Sequence, residues 1–134
     1  MITTLEALRL LESRAGDLEN LHVETGVRDG AAYLRIASNE RWSVVYTPGD
    51  RWFSVETDQG FSANHFEEDV SVSDVIEILD HQIAIACSYV GGEYEMAKSR
   101  FLGVPEIVIR IGETTTVLTL SPLGAVRRIR HRER

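Results

Sequence analysis

One cysteine, three prolines and a single lysine are all that 134 residues contain of these types. The lone thiol, Cys87, closes no intrachain disulfide, so the fold must stand on packing alone. No apolar run approaches the roughly 20 residues of a membrane span. The first residues, Met1-Ile2-Thr3-Thr4-Leu5-Glu6, lack the basic flank and apolar stretch of a signal peptide, which makes the cytoplasm the expected compartment. Catalytic signatures are missing too. There is no Gly-x-Ser-x-Gly to expose a nucleophile on a sharp turn. Gly91-Gly92 lacks the third glycine and the preceding strand of a dinucleotide fingerprint, and no Gly-Lys-Ser or Gly-Lys-Thr is present. Neither enzymatic activity nor a cofactor is expected.

What is present is an ordinary globular composition, 43% hydrophobic and 26% charged, enough for one core. A single α+β domain is expected over residues 1–126, followed by a basic tail at 127–134. The charge is unevenly placed. Of 14 basic residues 13 are arginine, and five of these lie in the last eight positions beside one glutamate, so that tail is +4 in a chain of net charge -7. Between Arg51 and Lys98 there are ten acidic residues and no basic one. Such a field repels nucleic acid and draws a cationic protein surface at low salt. The tail is short, terminal and attached to an acidic body, so it is read as frayed and not as a nucleic-acid or membrane contact.

Periodicity supplies the elements. Thr3 and Glu6 form a capping box ahead of Leu5, Leu8, Leu11 and Ala15, which recur at helical spacing until Gly16. Residues 22–57 then alternate with period two, broken at Asp29-Gly30, Ser38-Asn39-Glu40 and Pro48-Gly49, as four hairpin-linked strands require. A type I′ turn at Asp29-Gly30 sets Val23 against Ile36 and Glu24 against Arg35. Matching apolar to apolar selects a three-residue loop next, which pairs Ile36 with Trp42 and Leu34 with Val44. Across Pro48-Gly49 the same criterion pairs Val44 with Phe53, Trp42 with Val55 and Arg41 with Glu56. The expected inner face is Val23, Leu34, Ile36, Trp42, Val44, Phe53 and Val55.

The opposite face then carries Tyr33, Val45 and Trp52 side by side with Glu56 among polar neighbours. An aromatic stripe of this kind is either a binding hot spot or a surface that another element covers. Phe61 to Phe66 reads as a fifth strand or a loop. Ser71 and Asp74 open the clearest helix, with Val72, Val75, Ile76, Leu79, Ile83, Ala86, Cys87 and Val90 at helical spacing up to Gly91. Residues 93–102 read as a short helix or a strand, and Ile107, Ile109, Ile111, Thr116, Leu118 and Leu120 form a closing hairpin around Gly112-Glu113. The whole is an antiparallel β-meander of about six to seven strands with an amino-terminal helix and a central helix packed on one face.

Few residues have the spacing of chemistry. Glu77 and His81 stand one turn apart with Asp74 on the exposed side of the central helix, a conceivable oxygen-rich metal site, but a glutamate four residues before a histidine is an ordinary surface pair and no metal site is assigned. Cys87 falls on the apolar stripe and is read as core. Glu67, Glu68 and Asp69 run together just before the central helix, beyond what capping needs, and with Asp74 they join the partner-facing candidates.

Trp42, Trp52-Phe53, the segment Phe66-Glu67-Glu68-Asp69-Val70 and the helix start Ser71-Val72-Ser73-Asp74 lie in a stretch, Arg41 to about Val90, that resembles the immunity proteins of actinobacterial polymorphic toxins, in particular the inhibitors of secreted NAD-glycohydrolase toxins. That resemblance implies a cytoplasmic antitoxin that occludes a toxin's active cleft and has no catalysis of its own; it transfers no functional residue. The expected function is therefore a non-enzymatic protein-binding module whose partner is a basic or cleft-containing protein, with no nucleic acid and no membrane. Secretion or assembly chaperones, a small-ligand domain with a deep pocket between helix and sheet, and a dimer burying the Tyr33 stripe are the competing readings.

Overall fold

The computed structural model describes residues 2–100 and 102–120; the arginine-rich segment lies outside the described residues. Two helices cover one face of an eight-stranded antiparallel sheet. The order along the chain is α1 (Thr4–Ala15), β1 (His22–Arg28), β2 (Ala31–Ala37), β3 (Trp42–Thr47), β4 (Arg51–Thr57), β5 (Ser62–Glu67), α2 (Val72–Val90), β6 (Glu95–Lys98), β7 (Pro105–Ile111) and β8 (Thr114–Thr119). The α+β meander is as expected, with eight strands in place of six to seven. The extra strands come from the two ambiguous segments, Phe61 to Phe66 and 93–102, each of which pairs. In space the strands run β1-β2-β3-β4-β5-β8-β7-β6, so the chain leaves the meander after β5, crosses over as α2 and returns to fill the far edge before closing onto β5.

Local sequence explains the starts and stops. Thr3 and Glu6 form a reciprocal capping box on α1, and Ser71 and Asp74 do the same on α2, each satisfying backbone donors that a helix start leaves open. The guanidinium of Arg41 helps close the other end of α2, donating to the Val90 carbonyl at 3.4 Å. Asp29 and Gly30 have φ of 51° and 79°, the left-handed pair a type I′ turn needs, and the first hairpin has the expected register, Val23 opposite Ile36 and Glu24 opposite Arg35.

The next two registers differ from expectation. Ile36 lies opposite Ser43 and Leu34 opposite Val45, because the Ser38 amide bonds the Arg41 carbonyl at 2.8 Å and closes a turn of only Asn39 and Glu40. Across the following turn Val45 faces Val55 and Val44 faces Glu56, so Arg41 has no place in that ladder. The expectation failed because matching apolar residues ignores what hydroxyls can do. Ser43, facing the core, donates to the Glu56 carbonyl at 2.8 Å, and Thr47 donates to that of Trp52 at 2.7 Å. A buried hydroxyl that bonds its own sheet's backbone carries little penalty. Val45 is consequently core, 0% exposed, and is no part of an outer stripe, while Trp42 and Val44 sit half-buried on the outer face. Val23 stays 39% exposed at the sheet edge, under incomplete cover from α1.

The third turn is held from outside. Gly49 has φ of 122°, and a Cβ there would stand 2.6 Å from the Ile2 carbonyl oxygen, so only glycine lets the start of α1 dock on this turn. Thr4 fastens the contact, its hydroxyl donating to the Pro48 carbonyl at 2.6 Å. The core between helices and sheet collects Leu11, Leu34, Ile36, Val45, Phe53, Val55, Leu79, Ile85, Tyr89, Ile107, Ile109 and Leu118.

Candidate functional site

Two surfaces stand out, one on each side of the sheet. On the helix side the sheet splits. β5 and β8 pair only through Ser62 and Thr119, then part, and the amino-terminal half of α2 bridges the gap. Beneath the helix is a cavity of about 560 Å³. Its apolar wall includes Val55, Ala63, Ile78 and Ile85, and its polar lining includes His65 from β5, His81 and Gln82 from α2, and Thr116 from β8. Asp74, Ile78, His81, Gln82 and Ile85 follow one another at steps of four, three, one and three residues, which puts them along one side of the helix.

His81 Nε2 lies 3.4 Å from the Thr116 hydroxyl, and the His65 ring packs edge-on against Phe53 at a centroid distance of 6.1 Å. Glu67, Asp74 and Glu77 stand at the mouth. Gln82 is 4% exposed and its Oε1 accepts no hydrogen bond from any described residue. A buried acceptor left without a donor costs about 1 to 3 kcal/mol. Asp74 and Glu77 are exposed on α2, as expected, and His81 is half-buried; all three line the cavity. Among the described residues no group of three or more His, Cys, Asp and Glu side chains could hold a metal ion.

On the other side the sheet lies open, with no described element packed over it. Register fixes its neighbours: Tyr33 pairs with Tyr46, Arg35 with Val44, and Trp52 with Phe66. Tyr46 and Trp52 meet edge to face at 5.5 Å, and Arg35 stacks over Trp42 at 5.4 Å. The Tyr46 hydroxyl donates to Glu56 Oε2 at 2.9 Å. Phe66, at the rim, is 75% exposed.

The expected partner-facing residues thus divide. Tyr33, Trp52 and Glu56 share the open face; Glu67 and Asp74 belong to the cavity mouth; Glu68 and Asp69 are exposed in the link between β5 and α2; Val45 is excluded by burial. Sequence reasoning missed Tyr46 and Phe66, although extending the two-residue alternation through β5 puts Phe66 beside Trp52. It missed Gln82 because its helical stripe was counted only for apolar residues.

Cys87 packs against the core, and burial pushes its thiol up. No known protein family, curated protein or solved structure matches the chain. Among the described residues no helix is long and apolar enough to cross a membrane.

Proposed function

We propose that this chain is a non-enzymatic protein-binding module that uses the open face of its sheet, and that its partner is a basic protein: in the most specific form of this reading it is an immunity protein, a cytoplasmic antitoxin that occludes the active cleft of a toxin. The observation that carries the proposal is Phe66. A phenylalanine three-quarters exposed, paired across the strands with Trp52 and followed directly by Glu67, Glu68 and Asp69, combines an apolar anchor with an acidic margin. Anchors of this type dominate binding energy when a partner desolvates them, and the charges beside them set on-rate and partner choice.

The Ser71-Val72-Ser73-Asp74 helix start and the Trp42 and Trp52-Phe53 pattern, which resemble those of immunity proteins, agree with this reading. Its test is co-expression with the product of the adjacent reading frame. Growth should stop when that product is made alone and resume when this chain accompanies it. In the purified pair Phe66→Ala should weaken binding at least about thirtyfold, equivalent to about 2 kcal/mol, without loss of fold. A partner that binds Phe66→Ala as tightly as the wild type overturns the assignment of the face, and a neighbour that is harmless alone overturns the antitoxin.

A further inference from the structure

The two edges of the sheet are β1 and β6, and they are built differently. β6 is four residues long with Glu95 and Lys98 at its ends, and Glu95 is held by Arg110 at 2.8 Å, the short and charged kind of edge that resists pairing. β1 runs for seven residues, His22–Arg28, without lysine, proline or bulge. We propose that β1 is the interface of a homodimer: it pairs antiparallel with β1 of a second copy of this chain, about a two-fold axis at Thr25, and leaves the open face free.

The backbone sets the register. Asp29-Gly30 closes its hairpin on the pair Arg28 and Ala31, so from there each second residue of β1, Gly26, Glu24 and His22, turns its N–H and C=O toward β2. The alternate residues, Val23, Thr25 and Val27, turn theirs outward, where no described strand receives them. An axis at Thr25 overlaps all seven residues of the two strands, sets Val23 opposite Val27 of the second copy, and puts every outward residue in a hydrogen-bonded pair. The neighbouring axes are worse. One at Glu24 would bring two Glu24 carboxylates face to face, and one at Gly26 would run Val23 into the turn at Asp29.

The side chains agree with that register. Val23, Thr25 and Val27 lie opposite Ile36, Leu34 and Ala32, all fully buried, so they project to the helix side at the margin of the core. Val23 is 39% and Val27 52% exposed, and each gains an apolar cross-strand neighbour when the second copy arrives. On the open side Glu24 faces Gly26 of the second copy and His22 faces Arg28, so no two carboxylates and no two guanidinium groups oppose each other. The free edges of such a dimer are its two β6 strands, both blunted, and association therefore closes at two copies.

The experiment is sedimentation velocity of the full chain over a concentration series, joined to amide hydrogen exchange. A dimer is expected with a dissociation constant of about 100 μM or tighter. In it the Val23, Thr25 and Val27 amides should exchange about threefold or more slowly than in the dilute monomer. Thr25→Pro removes an outward N–H that the monomer does not use, so it should abolish the dimer and keep the far-ultraviolet circular dichroism. Two double variants test the register. Val23→Lys with Val27→Lys opposes like charges and should give a monomer, whereas Val23→Glu with Val27→Lys opposes unlike charges at the same two positions and should dimerise. A chain that stays monomeric at about 1 mM, a dimer that exchanges these three amides at the monomer rate, or equal association of the two double variants would overturn the interface. Protection of the three amides in a monomer would overturn it too, because another part of the same chain then covers the strand.

Discussion

Tyr89 illustrates how far a single residue departs from its position on a helical wheel. It is 0% exposed at the end of α2, its ring stacks on Tyr94 at 4.9 Å, and its hydroxyl donates to Asp58, brought over from the end of β4. Burial raises its pKa first, and the hydrogen bond and charge of Asp58 raise it further. Because the folded value lies above the unfolded one, this group's contribution to stability is complete below the ordinary tyrosine range. It is lost as pH rises above about 10, where the unfolded chain releases the proton and the folded chain retains it. In an alkaline titration followed by tyrosinate absorbance, Tyr89 should therefore fail to ionise until the protein unfolds. Tyr89→Phe should remove that step, flatten the alkaline loss of stability and cost about 1 to 3 kcal/mol at neutral pH by leaving Asp58 without its donor. If Tyr89 ionises in the ordinary tyrosine range while the protein is folded, the Asp58 contact is not made in solution.

At the level of elements, legibility followed the range of the forces involved. Both capping boxes, the Asp29-Gly30 turn and the stripe of α2 depend on neighbours within a few residues, and those were readable. The second and third turns were not, because their registers are decided by where Ser43 and Thr47 send their hydroxyls and by the docking of Ile2 and Thr3 on Gly49, contacts that bring together distant parts of the chain. The register has a measurable consequence. Phe53, fully buried between helix and sheet, should cost about 3 to 5 kcal/mol when truncated to alanine. Trp42, half-buried on the open face under Arg35, should cost only about 1 to 2 kcal/mol. Denaturant melts of the two variants decide it: a larger loss from Trp42→Ala would restore the register in which that ring is core.

For the molecule as a whole, the acidic stretch from β4 to β6 acts on anything that approaches, and the exposed run Glu67, Glu68 and Asp69 sits where the open face meets the cavity side. Reversing all three to lysine should slow association with a basic partner by about tenfold or more. The wild-type on-rate should fall as salt rises, and the reversed variant should lose that dependence. An on-rate indifferent to salt would reduce these acids to a solvated margin. The amino-acid sequence by itself determined the class of fold, the two helices with their caps, the first hairpin, the closing hairpin and the separation of charge. Each of these follows from periodicity, turn chemistry or composition, which act locally or simply add along the chain. Only the tertiary structure decided that Val45 is core and Tyr46 and Phe66 are surface, since a register shift moves a strand's whole side-chain set from one face to the other. Only it placed His65 and Thr116 opposite Gln82, because a cavity arises where two strands distant in sequence pair once and then part, and no local rule records where a ladder stops.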